Sequence, residues 1–276
     1  MGVKTVILNA DDFGVSVPVN AAIEQAHRDG ILTTTSLMVT GEACADAVAR
    51  TRTMPHLGVG LHIALAEVPP ALPPERIPDL VDGDGMFRIE ALATSLAILL
   101  RPSVRRQLTA EIEAQFRLFA ATGLPLDHVD SHKHMHMHPA IASIVIAVGQ
   151  RFGMRAGRAP VEPRAVLRKV EPVKGVDIAA PFARRVRTKL RHAGMKAPDH
   201  VFGLAWSGAM TPDRLRGILR HLPDGVSEIY LHPATGDYAL AAPGYRYQEE
   251  LAALLDPVAR EIIARGGIRL ARFADL

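Results

Sequence analysis

Val3-Lys4-Thr5-Val6-Ile7-Leu8-Asn9-Ala10-Asp11-Asp12-Phe13-Gly14 is the stretch from which the fold is read. Val3 to Leu8 forms an apolar run, the pattern of a parallel strand covered on both faces. The run ends in two adjacent acids and a glycine. Adjacent acids in a turn are commonly a helix cap and a solvated neighbour, but here a buried strand delivers them together. Consecutive residues on such a segment point in different directions, so the pair can divide labour. One carboxylate can ligate a metal while the other takes a proton from water.

Outward from this stretch, strand-like and helix-like segments alternate. Residues 18–29 read as a helix, with Val19, Ile23 and Ala26 on one face and Gly30 as its stop. Residues 33–39 form a β-branched strand, 42–53 a helix, and 57–63 a third strand. Residues 66–86, rich in Pro, Gly and Asp, predict a long loop of the lid or binding type. Helices are expected near 89–100, 103–122, 139–151, 211–221 and 246–265, and strands near 126–130, 153–159, 200–205, 226–231 and 267–272. About eight strands alternating with helices predict an α/β protein, a parallel (β/α) TIM-like barrel or a doubly wound sheet. Asp11-Asp12, His62, Asp130-Ser131-His132 and His232 each fall at or just past a predicted strand's C-terminal end. Those ends share one face in a barrel, which favours that fold as a single domain over residues 1–276.

The composition agrees. Of 276 residues, 48% are hydrophobic and 22% charged, enough to build a core. Cys44 is the only cysteine, which excludes an internal disulfide and fits a reducing compartment. No apolar run reaches membrane-span or signal-peptide length, so a cytoplasmic protein is expected. A net charge of +3 gives no argument for nucleic acid. Charge does concentrate in Arg184-Arg185-Val186-Arg187-Thr188-Lys189-Leu190-Arg191, either a solvated helix face or a contact for anionic lipid headgroups or an acidic partner.

The chemistry concentrates in four places. Beyond the two acids, Gly58-Val59-Gly60-Leu61-His62 ends the third strand, and its glycines weaken the strand at a cost that points to a nearby site. His128-Val129-Asp130-Ser131-His132-Lys133-His134-Met135-His136-Met137-His138 holds five of the 12 histidines. Only its first members can face the barrel mouth together if the strand stops near Asp130. Imidazole is a common ligand of divalent ions, and a histidine tract that merely sequesters metal is the alternative. Glu228-Ile229-Tyr230-Leu231-His232-Pro233 adds a histidine able to act as general acid opposite a carboxylate base.

In order along the chain, these segments resemble the YdjC-like family of carbohydrate deacetylases, which includes chitooligosaccharide deacetylases. The matching pieces are Asn9-Ala10-Asp11-Asp12-Phe13-Gly14 with Ser16 and Asn20, Gly60-Leu61-His62, His128-Val129-Asp130-Ser131-His132 and Leu231-His232-Pro233. Asp199 to Met210 and the ending Phe273-Ala274-Asp275-Leu276 are similar to the branch associated with hopanoid biosynthesis. The resemblance implies metal ligands at Asp12, His62 and His132, Asp11 as general base and His232 as general acid. His134 and His136 compete as ligands, with His134 and Trp206 as candidate substrate contacts. One divalent ion is implied. Two histidines and a carboxylate suit Zn²⁺, while family members are often described with Mg²⁺. The implied substrate is an N-acetylglucosaminyl group, in that branch carried on a hopanoid lipid, with chitooligosaccharides or another small acetylated sugar as the alternative. The lipid link gives residues 184–191, with the 66–86 loop, an expected role in bringing the barrel mouth to the inner surface of an anionic membrane.

Overall fold

The computed structural model describes residues 2–88, 98, 101–173 and 177–276. In chain order its elements are β1 (Lys4–Phe13), α1 (Val17–Arg28), β2 (Thr34–Leu37), α2 (Cys44–Thr51), β3 (Gly58–Ile63), α3 (Pro102–Ala121), β4 (Val129–Ser131), α4 (Pro139–Arg151), α5 (Arg164–Val170), α6 (Ala180–His192), β5 (His200–Phe202), α7 (Pro212–Arg220), β6 (Gly225–Leu231), α8 (Tyr247–Leu255), α9 (Pro257–Arg265) and β7 (Arg269–Leu270). Every strand pair is parallel, in the order β4-β3-β2-β1-β6-β5, with β7 on the first half of β1.

Residues 155–161 join the two edges of this curled sheet. Arg158 N–H donates to Val129 O at 3.1 Å, Gly157 N–H to Lys196 O at 3.0 Å, and Val201 N–H to Val161 O at 3.0 Å. The fold is therefore the α/β barrel type expected. The strand expected at 153–159 occupies its place in the ring only as isolated bridges. Gly153, in a left-handed turn at φ 76°, and Pro160, without an N–H, leave little room for a ladder. The helix expected over 246–265 is two. Asp256 caps the second by accepting from Val258 N–H and Ala259 N–H, and Pro257 opens it. The helix expected near 89–100 lies outside the described residues apart from Ile98. Residues 66–86 form an extended loop with one 3-10 turn, Pro74–Arg76.

Strand parity sorts core from site. On β1, Val6, Leu8 and Ala10 pack in the main hydrophobic core, while Ile7 joins Ala156, Ala271 and Phe273 in a small separate cluster. Asn9 and Asp11 share Ile7's parity and enter the barrel interior higher up. His128 is fully buried, stacked on Phe273 at 4.1 Å between ring centroids, with Nδ1 3.0 Å from Asp127. A Cβ on Gly60 would lie 2.5 Å from the His128 ring. The glycine in the third strand therefore makes room for a structural histidine below the site.

Candidate active site

Asp11 and Asp12 both reach one centre because the backbone changes course between them. The β1–β2 register shifts between Ala10 and Phe13, and Asp12 is left-handed at φ 67°. The turn that follows is braced: Gly14 N–H donates to Asn20 Oδ1 at 2.7 Å, and Ser16 caps α1 through Val19 N–H. Glu67 (φ 64°), Lys133 (φ 51°) and His134 (φ 51°) are the other non-glycine residues with left-handed φ among those described. All four lie at this site, where such strain is typically held by surrounding contacts.

Asp12 Oδ1 lies 3.3 Å from His62 Nε2 and 3.1 Å from His132 Nδ1. The far nitrogen of each ring is already engaged, His62 Nδ1 with Asp130 at 2.7 Å and His132 Nε2 with Glu67 at 2.9 Å. With the proton of each neutral ring on that far nitrogen, the near nitrogens are lone pairs aimed at a carboxylate oxygen. Three converging acceptors need a shared positive charge. In the ion-free protein a proton supplies it. Burial alone would lower the His62 pKa, but the charge of Asp130 and the carboxylate of Asp12 raise it to about 10. Burial pushes Asp12 up, yet His132 and His62 hold it well below the usual carboxylate range. The same donors can hold a divalent ion, since all three lie within 4.8 Å of one another. Each imidazole is backed by a carboxylate, as in histidine metal sites generally.

Arg158 was not singled out from the sequence, yet it organises the barrel interior. Its fully buried guanidinium spans Asp11 in a fork at 2.7 Å on both oxygens, and meets Asp130 at 2.8 Å and Glu228 at 2.7 Å. It also lies 4.4 Å from the Tyr230 ring centroid. Burial pushes Asp11 up, but Arg158 outweighs it and keeps that carboxyl below its ordinary value. Glu228 receives less compensation, and burial lifts it to about 7.

His232 closes the site from β6. Its Nε2 is 3.9 Å from Asp11 Oδ2, and its Nδ1 is 3.7 Å from Glu250, which also accepts the His232 backbone N–H. Burial acts to lower the His232 pKa, but the surrounding carboxylates of Glu250, Asp12 and Asp11 raise it to about 9. Tyr245 meets it edge-on at 5.3 Å.

The remaining candidates lie outside the three-residue cluster. His136 uses both ring nitrogens on Ser131 Oγ (2.6 Å) and Arg158 O (3.1 Å), and His134 pairs with Tyr230 OH at 2.8 Å. Neither joins the three-residue cluster. Trp206 is buried in the core, with Arg214 5.0 Å from its ring centroid, so it does not offer a free sugar-stacking surface.

Fold and site together define an α/β barrel with a carboxylate–imidazole centre, able to hold one ion, at the C-terminal ends of its strands. The chain belongs to the YdjC-like protein family, whose model matches residues 5–265. It is 31% identical to a carbohydrate deacetylase of Geobacillus stearothermophilus over 98% of this chain and 96% of that one. A chitooligosaccharide deacetylase of Proteus mirabilis is 29% identical over 98% of both chains. Among solved structures, an Enterococcus faecalis V583 protein named for cellobiose-phosphate cleavage superposes with a TM-score of 0.78. The two share 24% identity, over 99% of this chain and 98% of that one.

Proposed function

We propose that the protein is a metal-dependent deacetylase that hydrolyses the N-acetyl group of an N-acetylglucosaminyl substrate to acetate and a free amino sugar. The sugar in this reading is carried on a lipid of hopanoid type. The observation that carries the deacetylase reading is the convergence of Asp12, His62 and His132 between Asp11 and His232. The full-length likeness to named carbohydrate deacetylases supports it.

Asp12, His62 and His132 would hold the ion, with Zn²⁺ matching two nitrogens and an oxygen. When bound, such an ion supplies Lewis acidity, polarising the acetyl carbonyl and acidifying water. Asp11, ionised and fixed by Arg158, accepts the proton of the attacking water. His232, protonated at neutral pH, donates to the departing amine nitrogen, so both protons of the hydrolysis have a place. Asp130 and Glu67 keep the two imidazoles in the orientation that presents their free nitrogens to the ion.

The lipid-linked form of this reading places the outer face of α6 at a membrane. Arg184 and Arg185 are exposed there, one turn from exposed Phe182 and near Ile178. Among the described residues, no helix is long and apolar enough to cross a membrane. The test is acetate release from N-acetylglucosaminyl glycosides by the metal-loaded protein, with Asp11→Asn as control. Release that Asp11→Asn abolishes is expected. No release from lipid-linked and free sugars alike, or full activity of the variant, refutes the reading.

A further inference from the structure

We propose that an apolar cavity beside the metal centre seats a hydrocarbon substituent borne by the substrate sugar; this rests on the deacetylase reading. The cavity has a volume of about 220 Å³ and is lined by Leu65, Leu80, Phe87, Leu108, Met135 and Ile141. It also touches Ala66 and Lys133. These are the chain neighbours of Glu67 and His132, which bond each other at 2.9 Å. The cavity wall therefore adjoins the metal centre through the backbone at Glu67 and His132.

Its chemistry favours a hydrocarbon over a second sugar. Lys133 is drawn to Glu67 and the Arg88 Nε to Val81 O, and the other described residues of the lining offer side chains without hydrogen-bonding groups. Sugar hydroxyls placed against those apolar side chains would lose water without gaining partners, a heavy penalty. A hydrocarbon loses nothing. Its attachment is also right: the acetamide at C2 and the aglycone at C1 leave adjacent ring carbons. A sugar with its acetamide over the ion thus carries its C1 substituent next to the centre. At ~30 Å³ per water-sized group, the cavity holds about seven methylenes.

The experiment is a homologous series of alkyl N-acetylglucosaminides from methyl to decyl, assayed for kcat/KM on the metal-loaded protein. In parallel, alkyl glucosides, which have no acetyl group to lose, are titrated calorimetrically. Both readouts are expected to rise roughly fourfold per methylene and to level off near seven carbons. Leu80→Trp, or Ile141→Trp should the first fold poorly, fills the cavity. Either should keep activity on the methyl glycoside while removing the chain-length gain. A flat calorimetric series overturns the cavity assignment, whatever the activity. A rising calorimetric series without acetate release from any glycoside keeps the cavity and removes the deacetylase reading instead.

Discussion

Replacing Arg158 by leucine would expose how the barrel interior is balanced. The substitution withdraws the one guanidinium that contacts Asp11, Asp130 and Glu228, all of them buried. Leaving buried charge without its partner costs about 3–5 kcal/mol. At roughly 2–4 °C per kcal/mol for a chain of this size class, the thermal midpoint should fall by about 6–20 °C. A pairing explanation makes a sharper claim about Asp11→Asn. In the native background it removes half of a bidentate pair and destabilises. In the Arg158→Leu background it removes an uncompensated charge and should restore stability. The cycle is run by urea unfolding followed by circular dichroism, with excess chelator so that ion binding adds nothing. Single effects that sum to the double within about 0.5 kcal/mol would refute the coupling. Arg158→Lys should fall between, because a point charge cannot reproduce the fork.

Glu228→Gln tests the acid left least compensated. Its folded pKa of about 7 exceeds its ordinary value, so the native state holds an extra proton between about pH 4.5 and 7. Stability from this group is therefore lost as pH rises through that window, by about 3 kcal/mol. The variant should lack that loss, gaining on the native protein between about pH 4.5 and 7, and an unchanged gap in paired unfolding curves would count against the assignment. Glu67→Gln should weaken ion affinity by about 10- to 100-fold in a chelator competition. Stability of the ion-free protein should change by less than about 1 kcal/mol, since Glu67 and Lys133 are substantially exposed. Unchanged affinity would show that Glu67 does not orient His132.

The residues visible from sequence are those whose position along a strand announces them. Asp11, Asp12, His62 and His232 each end an apolar segment, and a polar side chain at such a point is anomalous enough to be noticed. The histidine run was legible as a site but not residue by residue. Its sorting depends on a kink, with Lys133 and His134 both left-handed, that sends His132 toward Asp12 and His136 toward Arg158 O. Arg158 was hidden for another reason. Its meaning lies in contacts to Asp11, 147 residues away, and to Glu228, 70 away, and nothing local in Gly157-Arg158-Ala159-Pro160 reports them. Glu67 was hidden by loop context, where no periodicity marks an inward side chain. The glycines before His62 mark the site in the sequence, but Gly60 serves the His128 ring beneath it.

The placement of Asp130 explains why the two halves of the site hold together. Its Oδ1 receives His62 Nδ1–H, while its Oδ2 receives the Arg158 guanidinium and the Ser36 hydroxyl at 3.1 Å. Arg158 in turn fixes Asp11. One buried carboxylate thus links the imidazole offered to an ion with the cation that keeps the base ionised. Barrel interiors are more often filled with branched apolar side chains. Here Asn9, Ser36, Asp130, Arg158 and Glu228 take that space. Burial makes each of these polar groups expensive alone and the set rigid together. A displacement at either end reaches the other through Asp130. Geometry at the ion and geometry at the base are therefore set by the same side chain, and neither can drift without the other.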